Sequence, residues 1–319
     1  MRSLSKGMGL STILRSLGIC AAVAAISVAA TIAVRSASES RSAPEVRLWF
    51  GGDVNLGTAK NAVLKPLEDI LKGGVGIVNL EGPVAERLPT GRKLKLMNAP
   101  GALLQLRDAG VRIAGIANNH GGDAGPKGSQ HTADALQGAG ITPSGGPAGP
   151  ASVSAGGSRL VLAAYDLSEG VPPKLQENLE LARRQGDFFI ASFHVDGPPS
   201  YLPRPELRNA VKIALEAGAK IVVAHGTHAI GPVERLGDRV IAWGLGNLVF
   251  ACDCTKEREG LLLEVVLRSG EIEAVSIIPI EAGLRGEPAR VSADPNGVFD
   301  LLEGIGSTKL ARKGSRANF

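Results

Sequence analysis

Short runs of β-branched and aliphatic residues alternate along the chain with stretches whose apolar positions have helical spacing. The first run, 46–50, predicts a strand that ends at Gly51 and Gly52. In the stretch 60–71, apolar residues recur at the spacing of an amphipathic helix, which is expected to end before Gly73. The same patterns predict further strands at 75–79, 111–116, 160–165, 188–193, 221–224, 240–243, 261–267 and 272–280, and further helices at 102–109, 128–137 and 203–217.

This alternation predicts an α/β fold of layered β-sheets flanked by helices. The last predicted strands follow one another without helices between them, which indicates an antiparallel part that closes the sheet. The globular domain is predicted to cover residues 46–303. Residues 304–319 are rich in Lys, Arg, Ser and Gly, and they are predicted to form a disordered basic tail.

An uncharged, mostly apolar run covers residues 16–34 and follows Arg2, Lys6 and Arg15. Such a run is long enough to cross a bilayer, and basic residues before it favour a cytoplasmic N-terminus with the body on the extracytoplasmic side. We therefore expect residues 1–35 to form a transmembrane signal anchor in the cell membrane, followed by a linker at 36–45. A cleaved signal peptide, which would give a secreted or periplasmic protein, is the alternative.

The composition argues against a nucleic-acid partner. Aromatic residues make up 3% of the chain, too few for the ring platforms on which single strands stack. The formal net charge of +4 is matched by the four basic residues within 1–35, so the remainder carries no basic excess for a phosphate backbone. Cys252 and Cys254 are separated by one residue and are expected to be thiols rather than a disulfide.

Polar side chains of the kinds that bind metals follow five of the predicted strands. In open α/β sheets, the carboxyl ends of the strands are where sites form. Carboxylate, amide and imidazole groups together suit Zn, Mn or Fe, and a two-metal site needs a bridging carboxylate with ligands from several strands. Each residue alone also fits a simpler role, such as a turn Asp, a left-handed Asn or a hydrogen-bonded His. The candidates are Asp53, Asn55, Glu81, Asn119, His120, His194, His225 and His228.

Five motifs, in their order and spacing, resemble the CapA family of poly-γ-glutamate capsule biosynthesis proteins, within the calcineurin-like metallophosphatase superfamily. The resemblance extends from about Arg47 to Phe250. The motifs are Gly52-Asp53-Val54-Asn55-Leu56, Asn79-Leu80-Glu81-Gly82-Pro83-Val84, Ala117-Asn118-Asn119-His120 with Asp123-Ala124-Gly125, His225-Gly226-Thr227-His228 with Pro232-Val233-Glu234, and Gly244-Leu245-Gly246-Asn247-Leu248-Val249-Phe250.

The resemblance implies a metallophosphatase-like fold and a role for each candidate. It implies that Asp53 is a ligand of the first metal and that Asn55 stands where metallophosphatases usually have a histidine. Glu81 stands where those enzymes have a bridging aspartate. The resemblance further implies an amide ligand at Asn119 and a general acid beside the leaving group at His120. His194, His225 and His228 would complete the two sites.

The sequence departs from the family pattern in two places. After His194 the family usually has Trp-Gly and a nearby Glu-Tyr, whereas this chain has Val195-Asp196-Gly197, and Tyr201 is the available tyrosine. The paired histidines that the resemblance implies at the start of the fourth motif are reduced to His225-Gly226. These departures affect the expected substrate contacts more than the expected metal ligands.

Together, these expectations describe a membrane-anchored protein of capsule or poly-γ-glutamate biosynthesis with a metal-dependent hydrolase site. Two divalent ions, Mn, Zn or Fe, would activate water against a phosphoester or a γ-glutamyl-type amide. The expected partners are an anionic polymer or a small ester or amide substrate, together with capsule synthase or export proteins in the membrane. One alternative is a non-catalytic accessory subunit that binds an anionic polymer for a synthase or exporter. Another is a secreted metallophosphoesterase unrelated to capsule.

Overall fold

A computed structural model describes residues 45–59, 62–88 and 94–319 of the chain. The predicted anchor or signal peptide at 1–35 lies outside the described residues, as does all of the predicted linker except Glu45. No helix within the described ranges has the length and apolar character that a membrane span requires. Glu45–Phe319 form one structural unit.

The described strands and helices follow the predicted alternation. The strands are β1 (Glu45–Asn55), β2 (Val75–Leu80), β3 (Val111–Gly115), β4 (Thr142–Ser144), β5 (Ala151–Ala155), β6 (Ser158–Asp166), β7 (Phe188–His194), β8 (Ile221–His225), β9 (Val233–Leu236), β10 (Arg239–Ala242), β11 (Asn247–Phe250), β12 (Glu259–Arg268), β13 (Glu271–Glu281), β14 (Gly283–Leu284), β15 (Arg290–Val291), β16 (Ala311–Lys313) and β17 (Arg316–Asn318). The α-helices are α1 (Glu68–Leu71), α2 (Leu103–Asp108), α3 (Gly128–Gly138), α4 (Leu175–Arg183), α5 (Pro205–Glu216) and α6 (Pro295–Ile305), and 3-10 turns cover Lys65–Leu67, Pro100–Ala102 and Gly146–Ala148.

The strands form two β-sheets. The first has eleven strands in the order β16-β17-β13-β12-β1-β2-β3-β4, with β11 and β14 joined beside β1 and β15 beside β13. The second has six strands in the order β5-β6-β7-β8-β10-β9. Strands β1 to β4 run parallel, as do β6 to β8, whereas β12 and β13 are antiparallel. The expected antiparallel part after β10 is therefore present.

Period-two alternation along the strands explains the layers. On β1, Leu48 and Phe50 belong to the core between the two sheets, together with Phe188 of β7. Trp49 belongs instead to the outer core, where helices α2 and α3 pack on the first sheet. Phe189, next to Phe188, packs with α4 and α5 on the far side of the second sheet. Burial of each such side chain contributes roughly 1.5–3 kcal/mol to the stability of the fold. The two sheets therefore pack on each other, and helices cover their outer faces. The predicted fold class, mixed α/β sheets flanked by helices, is confirmed.

Strand β1 does not end at the glycines where the sequence predicts a break. It continues to Asn55, and Asp53 pairs with Asn247 of β11. A Cβ added at Gly52 would lie 2.0 Å from the carbonyl oxygen of Gly246. Glycine is required at position 52 because the two backbones approach closely. The strand continues past this glycine and places Asp53 at the edge of the sheet.

The C-terminal residues 304–319, predicted to be a disordered basic tail, instead form a hairpin of β16 and β17 that pairs with β13. Two features stabilise it. Gly314 has a φ of 61° in the two-residue turn, a conformation that favours glycine, and Ala317 is fully buried in the core between the sheets. Of the charges that suggested disorder, Arg312 pairs with Asp300 and Glu303, and Arg316 pairs with Glu264. The domain therefore extends to Phe319.

One pairing of these charges lies within the first sheet and is called the sheet cluster, defined as Arg47, Glu264 and Arg316. Arg47 Nη1 lies 3.0 Å from Glu264 Oε2, and Arg316 forms an ion pair with the same carboxylate. Arg316 Nη1 also donates to Ser276 Oγ at 2.8 Å. The cluster links β1, β12 and β17.

Cys252 and Cys254, expected to be thiols, form a disulfide in the loop after β11. The single residue between the two cysteines does not prevent the bond, because their Cα atoms lie 5.2 Å apart, within the usual range for a disulfide.

Candidate metal centre

The candidate side chains reach one region because the strands that carry them run parallel and end at the same edge. Asp53 of β1 lies in register with Asn79 of β2. In the second sheet, His194 at the end of β7 lies in register with His225 at the end of β8. We call Asp53, Glu81, His194, His225 and His228 the site cluster.

Asp53 is fully buried and has a polar partner on every side. The Asn79 amide Nδ2 donates to its Oδ1 at 2.9 Å, and the Gly226 backbone N–H donates to its Oδ2 at 3.0 Å. His228 Nδ1 lies 3.3 Å from Oδ2, and His225 Nδ1 lies 3.4 Å from Oδ1. A buried carboxylate is costly unless it is paired, and here imidazoles surround it.

Glu81 and His194 form the second contact of the site cluster. His194 Nε2 lies 3.3 Å from Glu81 Oε1, and both side chains are almost completely buried. On its other face, His194 Nδ1 lies 3.4 Å from Asp166 Oδ1. Asp166 ends β6 and is in register with His194, so the two strands deliver the pair together.

His228 adopts a left-handed backbone conformation with a φ of 55°. This region disfavours residues with a Cβ, and such outliers concentrate at functional sites. Its Nδ1 lies 2.9 Å from Asn247 Oδ1, and Asn247 Nδ2 in turn donates to the Glu257 backbone carbonyl at 3.0 Å. The loop after β11 thus fixes the orientation of the ring.

Within the described residues, Asp53, Glu81 and His228 form a group that could hold a divalent metal ion. One ligand atom from each lies within 4.8 Å of the other two. Two atoms of other candidate residues also suit an ion: Asn119 Oδ1 and His225 Nδ1 are buried and make no hydrogen bond among the described residues, although His225 Nδ1 lies 3.4 Å from Asp53 Oδ1. An unpaired buried polar atom costs about 1–3 kcal/mol, and a bound cation would relieve that cost. The carboxylate, imidazole and amide donors suit a borderline or hard divalent cation.

Two candidates have contacts of a different kind. Asn55 is buried, and its Nδ2 donates to the backbone carbonyls of Glu81 at 3.2 Å and Met97 at 3.0 Å, so its nitrogen fixes the loop after β2. His120 follows β3, and its Nδ1 lies 2.7 Å from Asp123 Oδ2. That carboxylate oxygen also accepts from the backbone N–H of Leu96 at 2.7 Å, which holds it in place.

The electrostatics of the metal-free site follow from these contacts. Burial opposes ionisation of Asp53, but the neighbouring His225 and His228 hold the pKa of its carboxyl well below the usual range. Burial also opposes the charged form of His194, yet hydrogen bonds to Asp166 and Glu81 raise its pKa to about 10. For His228, contact with Asp53 outweighs burial and raises the pKa to about 9. Without a metal, both rings therefore hold protons at neutral pH.

Several residues around the site cluster were not among the sequence candidates. Asn79 supports Asp53, Asp166 supports His194, and Asn247 supports His228. Asn79 and Asn247 lie inside the quoted motifs and could have been found there. Asp166 directly follows the predicted strand 160–165, so its position after a strand was the available signal.

Gly226, which stands where the resemblance implies a second histidine, also has a structural explanation. Gly226 has a φ of 92°, and a Cβ added to it would lie 2.6 Å from His194 Nε2. A side chain at this position would therefore collide with the site cluster.

Comparison with known proteins matches residues 47–252 to the family described as "Bacterial capsule synthesis protein PGA_cap". The chain is similar to the "Capsule biosynthesis protein CapA" of Bacillus anthracis, with 23% identity over 237 residues that cover 66% of this chain and 56% of that protein. It is also similar to the "PGA biosynthesis protein CapA" of Bacillus subtilis (strain 168), with 27% identity over 113 residues that cover 35% of this chain and 30% of that protein. The chain thus spans about half or less of these relatives' length.

Solved structures share the fold. A hypothetical protein from Thermus thermophilus aligns with a TM-score of 0.51 and 18% identity, over 74% of this chain and 100% of that chain. A phosphatase from Mycoplasma pneumoniae aligns with a TM-score of 0.52 and 15% identity, over 75% of this chain and 95% of that chain. At these identities the likeness concerns the fold alone.

Proposed function

This chain belongs to the bacterial capsule synthesis protein family PGA_cap, the CapA family, and we propose that it is a metal-dependent hydrolase of capsule biosynthesis. The observation that carries the proposal is the convergence of Asp53, Glu81 and His228 from three separate segments, with ligand atoms within 4.8 Å of one another. Buried carboxylates beside imidazoles add little to the stability of a core, because the removal of their charges from water costs free energy. Their gathering at a strand edge favours a ligand-binding role.

We assign the metal ligands to Asp53, Glu81 and His228, with Asn119, His194 and His225 completing the set. The unpartnered buried atoms Asn119 Oδ1 and His225 Nδ1 support a second ion beside the first. The donor types fit Mn, Zn or Fe. When bound, such ions supply Lewis acidity and make a water nucleophilic at neutral pH.

The chain's own residues would handle the proton and the leaving group. His120 is the general acid in this proposal: Asp123 Oδ2 binds its Nδ1 at 2.7 Å, which leaves Nε2 to donate a proton to the departing oxygen or nitrogen. Asn79 and Asn247 orient Asp53 and His228 through single hydrogen bonds. Such supporting contacts fix the direction of metal ligands.

The proposed substrate is a phosphoester or a γ-glutamyl-type amide. Both place a polarised double-bonded oxygen at the reacting centre, where a cationic site stabilises the developing charge. The names of the Bacillus relatives refer to capsule and to PGA biosynthesis, which supports an anionic polymer or its precursor as the partner. Synthase or export proteins of the same membrane are the proposed protein partners.

We further propose that residues 1–35 anchor the protein with its body on the extracytoplasmic side. The uncharged run 16–34 and the preceding basic residues support this orientation. Deletion of residues 1–35 is expected to move the protein from the membrane fraction to the soluble one. A mature chain that begins near residue 40, detected by N-terminal sequencing, would instead indicate a cleaved signal peptide.

The decisive experiment measures metal content and turnover on the purified full chain. We expect bound Mn, Zn or Fe by plasma mass spectrometry, and hydrolysis of bis(4-nitrophenyl) phosphate with added Mn²⁺. Asp53→Ala is expected to remove the bound metal and to reduce hydrolysis by at least about a hundredfold. His131→Ala is the matched control, because His131 is an exposed histidine on α3, and it should behave as the unaltered protein.

The outcomes separate the alternatives. A chain that retains no metal after incubation with Mn²⁺ or Zn²⁺ contradicts the proposal. Metal binding without turnover of phosphoester or γ-glutamyl substrates favours the non-catalytic accessory subunit. Turnover of simple phosphodiesters with no capsule defect in a deletion strain favours the secreted metallophosphoesterase.

A further inference from the structure

A cavity of about 620 Å³ lies beside the site cluster. Its walls come from the loops that follow β3 and β4 in the first sheet, and from the end of β6 and helix α4 in the second. Asn118 and Asp166 line the cavity, and each also contacts a residue of the candidate metal centre. Asn118 donates to Asn79, and Asp166 contacts His194. A molecule in this cavity would therefore be next to the proposed reaction centre.

The charge of the cavity is unusual for a protein expected to bind a polyanion. Among the described residues that line it, Asp166 is the one charged side chain, and none is Lys, Arg or His. The remaining lining combines amides, hydroxyls, glycines and small apolar side chains. A carboxylate or phosphate placed here would find no cation and would face a negative charge, so the cavity suits an uncharged group.

The free polar atoms of the lining are hydrogen-bond acceptors. Asn118 Nδ2 donates to the backbone carbonyl of Leu80 at 2.8 Å, which fixes the direction of the amide, and its Oδ1 is buried without a partner within the described residues. The recorded contacts of Asp166, with His194 and Ser168, all end on Oδ1. Asp166 Oδ2 is therefore open to a donor. Because Asn118 Oδ1 is closed to solvent, Asp166 Oδ2 is the oxygen of the two that can accept an O–H or N–H group from the occupant.

The other side of the cavity offers groups that both donate and accept. Asn178 of α4 and Gln185 are exposed amides at its rim, and the half-buried Tyr165 contributes a ring and a hydroxyl. Burial raises the pKa of Tyr165, so its hydroxyl stays neutral and can donate. An aromatic face combined with amides and a carboxylate fits a group that carries several hydroxyls on an apolar frame.

We propose that this cavity binds an uncharged, polyhydroxylated group, a sugar unit of the substrate, and holds it next to the bond that the metal centre cleaves. The inference rests on the proposed hydrolase function, which it deepens by naming the class of group beside the scissile bond. A cavity of this volume lies within the range typical of small-molecule sites. Glutamate carboxylates would meet Asp166 and no cationic side chain in this lining, so of the two proposed substrates the inference favours the phosphoester.

Direct binding tests the proposal independently of catalysis. Saturation-transfer-difference NMR is recorded on the metal-free full chain with glucose and N-acetylglucosamine as probes, and with glutamate as the anionic comparison. We expect signals for a sugar and none for glutamate. Asn178→Trp, which fills the rim, is expected to weaken sugar binding by about tenfold or more. Gln176→Trp is the matched control, because it makes the same change on α4 at a residue that does not line the cavity.

Each result decides for or against the sugar site. Sugar signals that are lost in Asn178→Trp and kept in Gln176→Trp support it, provided that circular dichroism shows both variants folded. If Asn178→Trp does not fold, Gln185→Trp at the exposed rim takes its place. Absence of sugar signals, equal signals in both variants, or glutamate binding with the same dependence on Asn178 would overturn the inference. Because no metal or turnover is involved, failure of the hydrolase proposal would leave these signals unchanged.

Discussion

Two groups of charged side chains differ in how completely they are paired: the sheet cluster lies within the first sheet, and the site cluster draws its residues from strand ends of both sheets. In the sheet cluster, the carboxylate of Glu264 lies between Arg47 and Arg316, and Arg316 also donates to Ser276. The site cluster also surrounds carboxylates with cationic partners. In it, however, His225 Nδ1 faces Asp53 at 3.4 Å without forming a hydrogen bond, and in the loop after β3 the candidate Asn119 has a buried Oδ1 without a partner among the described residues.

This difference separates a structural charge group from one prepared for a ligand. Desolvation makes a buried charge unfavourable until hydrogen bonds satisfy it. The sheet cluster is satisfied and joins three strands, so its contribution is to stability. The site cluster keeps unsatisfied atoms together with a left-handed residue, His228, and both features cost folding free energy. A bound cation would offset that cost, and changes in the two clusters should therefore have separate effects.

The largest expected effect concerns the proposed general acid, His120. His120→Ala is expected to reduce hydrolysis of a phosphodiester by about 10²–10⁴-fold, because the leaving group loses its proton donor. Metal content by mass spectrometry should be unchanged, since His120 bonds Asp123 rather than a residue of the site cluster. A variant that loses metal and activity together would show that His120 acts as a ligand.

A smaller effect is expected from the residue that supports Asp53. Asn79→Ala removes the amide that donates to Asp53 Oδ1 at 2.9 Å, and loss of such supporting contacts typically weakens metal binding by about 10–100-fold. Isothermal titration with Zn²⁺ or Mn²⁺ measures the change. Asn296→Ala, at an exposed asparagine on α6, is the control and should bind as the unaltered chain does. Equal affinities for both variants would mean that Asp53 is oriented without Asn79.

The sheet cluster should respond in stability and not in metal binding. Glu264→Gln is expected to lower the free energy of unfolding by about 2 kcal/mol, less than the roughly 3–5 kcal/mol for a fully buried pair, because its arginines are partly exposed. Glu273→Gln breaks the surface pair with Arg268 and should cost at most about 1 kcal/mol. Urea unfolding of the two variants gives the comparison. A Glu264→Gln variant that loses metal would contradict the separation of the two clusters.

Sequence patterns predicted the parts of the fold that depend on local alternation. The buried strands β2, β3 and β6 to β8 were predicted because both of their faces are covered, so they are continuous apolar runs. Helix α4 was not predicted, although Leu175, Leu179 and Ala182 have helical spacing and pack on the second sheet. The C-terminal hairpin was missed because its charged residues suggest solvent, and only tertiary contacts with Glu264 and Asp300 pair them.

For the site, the sequence indicated which residues are candidates but not the role of each one. Position after a strand selected Asp53, Glu81 and His228, which lie within 4.8 Å of one another. The same criterion could not show that Asn55 Nδ2 donates to two backbone carbonyls. Nor could it predict the strand continuing through Gly52, because that depends on the approach of Gly246, far along the chain. Pairings between distant segments are set by the tertiary fold.

The last prediction uses histidine protons, which the site cluster contains and the sheet cluster does not. In the metal-free chain the pKa of His228 is raised to about 9, after Asp53 overcomes the opposing effect of burial. Because this pKa is raised, protonation of His228 stabilises the folded metal-free chain. The contribution is complete at pH values below the ordinary histidine pKa of about 6.5, and it is lost as the pH rises through about 9. A metal that binds His228 must displace this proton.

Metal affinity should therefore rise by about tenfold per pH unit between pH 6 and 8 through His228, and by about a further tenfold per unit where the metal also displaces the proton of His194, because each displaced proton couples binding to pH. Titration calorimetry in two buffers of different ionisation enthalpy measures the released protons directly, and about one per His228 is expected at pH 7.5. The His131→Ala control should give the same slope, since that histidine is exposed on α3. A histidine with an ordinary pKa would already be neutral at pH 7.5, so an affinity that levels off above pH 7, without proton release, would show that Asp53 does not hold His228 protonated.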